Sequence, residues 1–494
     1  MPRTDETERK HENVEFSIQS NGDVMALLAE LLSKNHAWFA GVSKEWRNAW
    51  GGLPKRTQAI TPDTSVSQLQ WSFDGGLMKR PAVCEHVAEH CGIDVLQCAH
   101  LNGCGLSENT CFKAAARGQL DMIQWAIGEN HSWRQVLCRA AAAGGSLRIL
   151  QWARANGCPL NHATCTEAAR SGRLDILQWA RSKYCRWDTE TCSKAAEGGH
   201  LGILQWVRAH GCPWDSQTCA SAAAGGHLEV LQWARAIGAD WDQDTTDRAA
   251  NGGHLEVLQW ARAQGCPWGP IVSFGVFENG HLGTLRWMLA NDCVLPRAGG
   301  LVAAEHGHLH ILQWMQASPH VWEKNDVCKG AASGGHLDIL QWARANGCFW
   351  DGSVCSQAAY NGHLEVLKWA RSNGCPWDEK TCNHAAAGGH MSIVQWARAQ
   401  DCPWDAHTCS EAARKGHFEL LKWARFNGCP WDTFTCTRAA MAGRLDILQW
   451  ARAEGCPWDN FTIEGANYSC HEDIAAWAKL NGCPGRENET WWLD

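Results

Sequence analysis

Apolar residues fall along this chain in short clusters that fit helices. From His200 onward, Leu201, Ile203, Leu204, Trp206 and Val207 are apolar. They cover more than one narrow stripe, as expected of a helix packed on a partner and on neighbours to either side. The preceding stretch, Thr191-Cys192-Ser193-Lys194-Ala195-Ala196, is closed by Gly198 and Gly199. Alanine favours helix, and glycine after the last turn is a natural stop. Beyond the second helix comes Cys212-Pro213-Trp214-Asp215. Proline cannot continue a helix, and aspartate can bond nearby backbone amides. The pattern predicts pairs of short helices joined by tight turns.

This unit repeats. Trp125 is followed by a tryptophan at every 27th residue through Trp314. One step of 28 reaches Trp342, and steps of 27 resume through Trp477. Extended backwards, the register lands on Cys98 in DVLQCAH and on Trp71 in SQLQW. The copy from Thr381 reads TCNHAAAGGHMSIVQWARAQDCPWD, and the copy from Thr218 reads TCASAAAGGHLEVLQWARAIGADWD. A fixed period of this size predicts a solenoid whose units contact their neighbours.

The unit TCxxAAxxGHLEVLQWARANG resembles the ankyrin repeat, T-P-L-H-x-A-A-x-x-G-H-x-E-V-V-x-L-L-L-x-x-G-A. The Gly-His pair, the Glu-Val pair and the final Gly fall in the same places, over roughly residues 65 to 485. Tryptophan replaces a core leucine, and cysteine replaces the alanine after the last glycine. Ankyrin units run to about 33 residues, so the shorter period implies that the projecting β-hairpin is cut to a tight loop. Short, Trp- and Cys-rich repeats of this kind resemble the arrays of giant viruses and some algae and protists. The resemblance implies an all-α ankyrin-like solenoid of about 15 helix-turn-helix repeats with truncated hairpin loops, working as a scaffold for another protein. The expected organisation is a disordered tail at 1–20, a small helical segment at 21–60, the solenoid at 61–485 and a C-terminal tail at 486–494, whose ENETWWLD is expected to fold back as a cap.

Composition narrows the function. Apolar residues make up 45% of the 494, far too many for a disordered chain. No apolar stretch approaches the roughly 20 residues of a membrane helix. The charged MPRTDETERKHENVEF start has no signal-peptide character, so an intracellular chain, cytoplasmic or nuclear, is expected, and a monomer. With a net charge of −8 and mixed signs, no basic stripe points to nucleic acid. No phosphate loop, HExxH or GxSxG is present, so neither an enzyme nor a cofactor is expected.

The 31 Trp and 26 Cys carry the remaining signal. Each register tryptophan is predicted to be the main core wedge, since an indole can bury about 150–250 Å². A second one follows eight residues later, as Trp377 follows Trp369, and is expected to cover the seam between units; a stacking ladder for sugars or bases is the other reading. Cysteines recur six and thirteen residues after the register tryptophan, as at Cys375 and Cys382. That spacing is not the C-x2-4-C of common zinc sites, and Ala239 and Ser273 stand in equivalent places. Buried thiols are therefore the first reading, with metal ligands and disulfides as alternatives. Histidine before the second helix (His200, His254, His390) alternates with Arg173, Arg444, Ser146 and Gln119, which suits a bond to backbone. Arginine two after the register tryptophan, as at Arg235, reads as a solvated face.

Where the copies differ, a partner can be encoded. The two positions after the second cysteine vary: Thr166-Glu167, Ser193-Lys194, Asp247-Arg248, Ser356-Gln357, Asn383-His384, Ser410-Glu411 and Thr437-Arg438. So do Ser216-Gln217, Glu379-Lys380 and Thr433-Phe434 before it. In an ankyrin-like stack they line the concave side, so Glu167, Lys194, Arg248, Gln357, His384, Glu411 and Arg438 are the candidate partner-binding residues; drift at exposed positions is the alternative. The stretches 269–276 and 294–302 lose the TC and CPWD punctuation, which predicts altered curvature and looser packing there.

Within 21–60, Val42-Ser43-Lys44-Glu45-Trp46-Arg47 resembles the close of an F-box, without its Leu-Pro opening. The motif residues are Val42, Lys44, Trp46 and Arg47, and the resemblance implies that residues 21–60 bind the adaptor of a cullin–RING ubiquitin ligase, with the array recruiting the substrate. The alternatives are a plain scaffold, with 21–60 as a helical cap, and a metal- or redox-buffering protein built on Cys and His.

Overall fold

The computed structural model describes residues 61, 64–74, 79–128, 134–269, 274–318, 324 and 326–485. The F-box-like residues Val42, Lys44, Trp46 and Arg47, and the tail from 486, lie outside them. Among the described residues every regular element is a helix. The chain divides into two units, Met1–Pro213 and Trp214–Asp494.

In the first unit a lone second helix, Val66–Asp74, packs on Ile93–Leu101. Five helix pairs follow, from Pro81–His90 with Ile93–Leu101 to Thr189–Glu197 with Leu201–Ala209. Each first helix packs on the first helix of the next pair. The second unit holds ten pairs, from Ser216–Ala224 with Leu228–Ala236 to Asn460–Tyr468 with Glu472–Leu480. The Cys-Pro-Trp-Asp turn occupies the place of the ankyrin hairpin, and no strand is found among the described residues.

The punctuation acts as its chemistry dictates. Asp378 caps Glu379–Gly388 by accepting from the Lys380 amide at 3.1 Å, and Asp405, Asp432 and Asp459 do the same for their helices. A side-chain acceptor here satisfies one of the amides a helix start leaves open. Gly389 closes the same helix at φ 76°. His390 stands just before the second helix, and its Nε2 lies 3.0 Å from the Tyr360 carbonyl of the preceding repeat. His200, His254 and His363 reach back to Arg170, Ala224 and Ser333 in the same way. These rings are rivets between repeats.

The core is small. Leu367, Ala370, Cys375, Cys382, Ala385, Ala386, Val394 and Ala397 are fully buried, and their counterparts recur in each repeat. The register tryptophans are not the enclosed wedges expected. Trp369, Trp396 and Trp423 are half-buried, because leucine, isoleucine and alanine fill the space between helices and leave the indole at the seam. There Trp377 meets Trp396 of the next repeat edge-on, centroids 5.7 Å apart. The arginine is not a solvated face either. Arg371 lies 4.2 Å over the Trp377 ring and donates to the Cys375 carbonyl at 2.7 Å. Its charge is attracted to the π-face while its fork closes the turn.

Every cysteine but Cys470 is buried, and all are free thiols. Cys375 donates to the Asp351 carbonyl at 3.4 Å and accepts a hydrogen bond from the Cys355 thiol. That bond and burial push the Cys355 thiol far up. In the irregular stretch the first helices shrink to Gly275–Glu278 and Gly299–Glu305. Phe277 is fully buried there, and its ring lies where a side chain on Gly299 would stand.

Candidate functional site

The seven candidate residues share one position within the repeat. Glu167 lies on His162–Arg170 and Lys194 on Thr189–Glu197, in the first unit. Arg248, Gln357, His384, Glu411 and Arg438 lie on five first helices of the second unit. All are half-buried. The residue before each is a different matter. Thr166, Ser193, Ser356, Asn383, Ser410 and Thr437 are buried, because the position beside the core cysteine faces the neighbouring first helix. Their variation is packing variation: Asn383 accepts from Thr408 at 2.6 Å, and Thr437 meets Thr462 at 3.3 Å. Asp247 is the half-exposed exception. Burial, then the neighbouring Asp244, holds its carboxyl above the usual range.

The candidate positions form a surface when helical spacing is followed. The residue two before the core cysteine, the residue two after it and the residue five after it stand at i, i+4 and i+7. Such residues share one helix face. In the Cys409 repeat these are His407, Glu411 and Arg414. In the Cys436 repeat they are Phe434, Arg438 and Met441. The variation before the cysteine was visible in the sequence. The position five after it was missed, although the same spacing would have found it.

Neighbouring repeats communicate along this stripe. Glu411 accepts from Arg414 of its own helix at 2.7 Å and also pairs with Arg438 of the next. Arg248 donates to Gln217 at 2.8 Å, and Gln217 donates to Asp244 at 3.3 Å. The Tyr360 and His384 rings meet edge-on at 6.0 Å. In the first unit Lys194 pairs with Glu197 at 2.7 Å and Glu167 with Arg170 at 3.6 Å. These are exchangeable surface pairs of low individual worth. Their partners in the stripe are polar groups that an incoming chain can re-pair.

Among the described residues no group of three or more His, Cys, Asp or Glu side chains converges as a metal site. No described helix is long and apolar enough to cross a membrane.

The family model for ankyrin repeats (many copies) matches residues 355–398. That stretch holds the core cysteine of one repeat and the second helix of the next, and the same unit recurs on both sides of it. Residues 355–398 therefore match the ankyrin-repeat family, within a longer array of helical repeats. No curated protein matches it. Among solved structures, the crystal structure of the human ASB11 ankyrin repeat domain is 16% identical, with 33% of this chain and 87% of that one covered and a TM-score of 0.27. The crystal structure of the pentatricopeptide repeat protein PPR10 from maize is 14% identical, with 92% and 80% covered and a TM-score of 0.27. At such scores neither likeness bears on function. Ankyrin repeats imply a protein-interaction scaffold.

Proposed function

We propose that each unit reads a partner along the outward stripe of its first helices, with Glu167 and Lys194 as the central row of the first unit and Arg248, Gln357, His384, Glu411 and Arg438 as that of the second. One observation carries this reading. A framework of buried Cys, Ala and Leu recurs, while the half-buried positions of one helix face change charge from repeat to repeat. That division of labour is how a solenoid encodes a partner. The finer role, substrate receptor of a ubiquitin ligase, rests on the resemblance of residues 42–47 to an F-box and on no other feature.

Affinity purification of the full chain, compared with a Lys194→Glu, Arg248→Glu, Arg438→Glu variant, tests the stripe. Proteins captured by the wild type and lost by the variant support it. Capture unchanged by the variant overturns it. Co-purification of a cullin adaptor that disappears with Trp46→Ala would support the ligase role, and its absence with residues 1–60 intact removes that role.

A further inference from the structure

Near its C-terminal end the stripe changes character. In the second unit the position two before the core cysteine, or before the residue that replaces it, is polar or charged in five repeats: Gln217, Asp244, Ser353, Lys380 and His407. In the last two it is Phe434 and Phe461, 56% and 57% exposed. The position five after it holds Met441 at 41% exposed and Tyr468 at 86% in these repeats, as it holds Tyr360 at 40% in an earlier one. The helices carrying them, Thr433–Met441 and Asn460–Tyr468, pack side by side. Between them the central row holds Gly465, and the Met441 side chain lies over it where a Cβ would stand. Phe434 and Phe461 thus hold the same position on two helices that pack side by side, as do Met441 and Tyr468, with the buried Gly465 beneath Met441. Single exposed apolar residues need no explanation, but a contiguous group does.

The flanking surface gives the second half of the argument. On the same face of the two preceding repeats stand Lys380, Arg414 and Lys415, all exposed, with Arg438 beside the aromatic group. Glu411 is the one acid among them in the central row and is held between Arg414 and Arg438. Glu464, in the last repeat, accepts from Asn460. The stripe is thus basic on one side and aromatic on the other.

Resting on the stripe reading above, we infer that Phe434, Met441, Phe461 and Tyr468 form the docking site for an acidic peptide segment of a partner protein that carries bulky apolar side chains. Its acids lie toward Arg414, Lys415 and Arg438, and its aromatic or long aliphatic groups lie on the phenylalanines. Burial of such anchors in a small cluster carries most of the energy of a peptide contact. The adjoining cations set its direction and the salt dependence of its capture.

The test is a phage-displayed dodecapeptide library panned against the full chain. Selected peptides are then measured by fluorescence anisotropy on wild type and on a Phe434→Ser, Phe461→Ser variant whose helical circular dichroism matches wild type. The expected result is a selected set combining Asp or Glu with Trp, Phe or Leu. These peptides should bind the variant at least tenfold more weakly, and an Arg414→Glu, Lys415→Glu variant several-fold more weakly. Selection of basic or purely polar peptides, no selection, or acidic-aromatic peptides indifferent to the serine variant overturns the proposal. A wild-type dimer abolished by the serine substitutions also overturns it, because a second copy would then be the occupant. Loss of natural partners with Lys194→Glu and Arg248→Glu but not with Phe434→Ser leaves the stripe reading standing and removes this one.

Discussion

Trp377 and Trp396 belong to neighbouring repeats and hold their rings 5.7 Å apart at 66°. The same relation recurs as Trp350 with Trp369, Trp404 with Trp423 and Trp431 with Trp450, at 5.8–6.1 Å. Each junction between these repeats therefore carries one edge-to-face indole pair with an arginine on its outer ring. This is a nearest-neighbour coupling of the kind that makes a solenoid cooperative.

That coupling can be measured. Edge-to-face pairs contribute about 0.5–1.5 kcal/mol beyond the area they bury. Trp377→Leu and Trp396→Leu are expected to be non-additive by about 1 kcal/mol in a double-mutant cycle. Hydrogen exchange of the two flanking second helices is the readout, since long arrays need not unfold in one step. Additive effects would mean that the rings only fill space.

Two glycines separate backbone strain from crowding. Gly374 and Gly389 both have positive φ, 82° and 76°. A Cβ on Gly374 meets nothing within 4 Å, whereas on Gly389 it would lie 2.5 Å from the His417 ring. Gly374→Ala should cost about 1–2 kcal/mol, the left-handed penalty alone. Gly389→Ala should cost clearly more. His417→Ala in the Gly389→Ala background removes the clash, so thermal denaturation should show the double variant to be more stable than the two single losses predict. Equal costs at the two glycines would show that the rivet has room to move.

Most of this architecture was legible in the sequence because repetition multiplies a weak signal. The helix pairs, the capping role of Asp378, the backbone role of His390 and the burial of Cys375 follow from residue type at a constant phase. What the sequence hid was direction. Period alone does not show whether Trp396 points between helices or along the seam, and the fully buried Val394 and Ala397 decide that. Arg371 looked solvated because its partner, Trp377, lies beyond the helix end. Asn383 looked like a surface position because it is polar, yet it is buried against Thr408. The stripe through Phe434 and Met441 becomes visible once the first helix is known to carry the cysteine inward.

The threonine before the core cysteine offers a stabilising change. Thr381 is fully buried, and its hydroxyl has no hydrogen-bond partner, as for Thr191, Thr218 and Thr435. An unsatisfied buried hydroxyl costs about 1–3 kcal/mol. Thr381→Val keeps the shape and removes that group, so it should raise stability by about 1 kcal/mol. Thr408 is the control, because its hydroxyl donates to Asn383 at 2.6 Å. Thr408→Val should destabilise. The prediction fails if both valines shift the midpoint the same way.

The thiols make the array sensitive to alkali. Burial pushes Cys84, Cys111, Cys138, Cys219 and Cys328 up to about 12 from 9.0. In the unfolded chain these groups ionise near 9.0, while the folded state keeps them protonated. Above that pH the unfolded state therefore holds fewer protons and is favoured. The stabilisation is fully present below pH 9 and is lost as the pH rises through about 12, at about 1.4 kcal/mol per thiol for each pH unit. The melting temperature should fall steeply over that window, and Cys219→Ala should make the fall shallower. At pH 8 the native chain should present one rapidly alkylated thiol, Cys470, with the other 25 of its 26 cysteines protected. Mass spectrometry after brief iodoacetamide treatment counts them. Rapid modification of several buried positions would show that the repeats open far more readily than their packing allows.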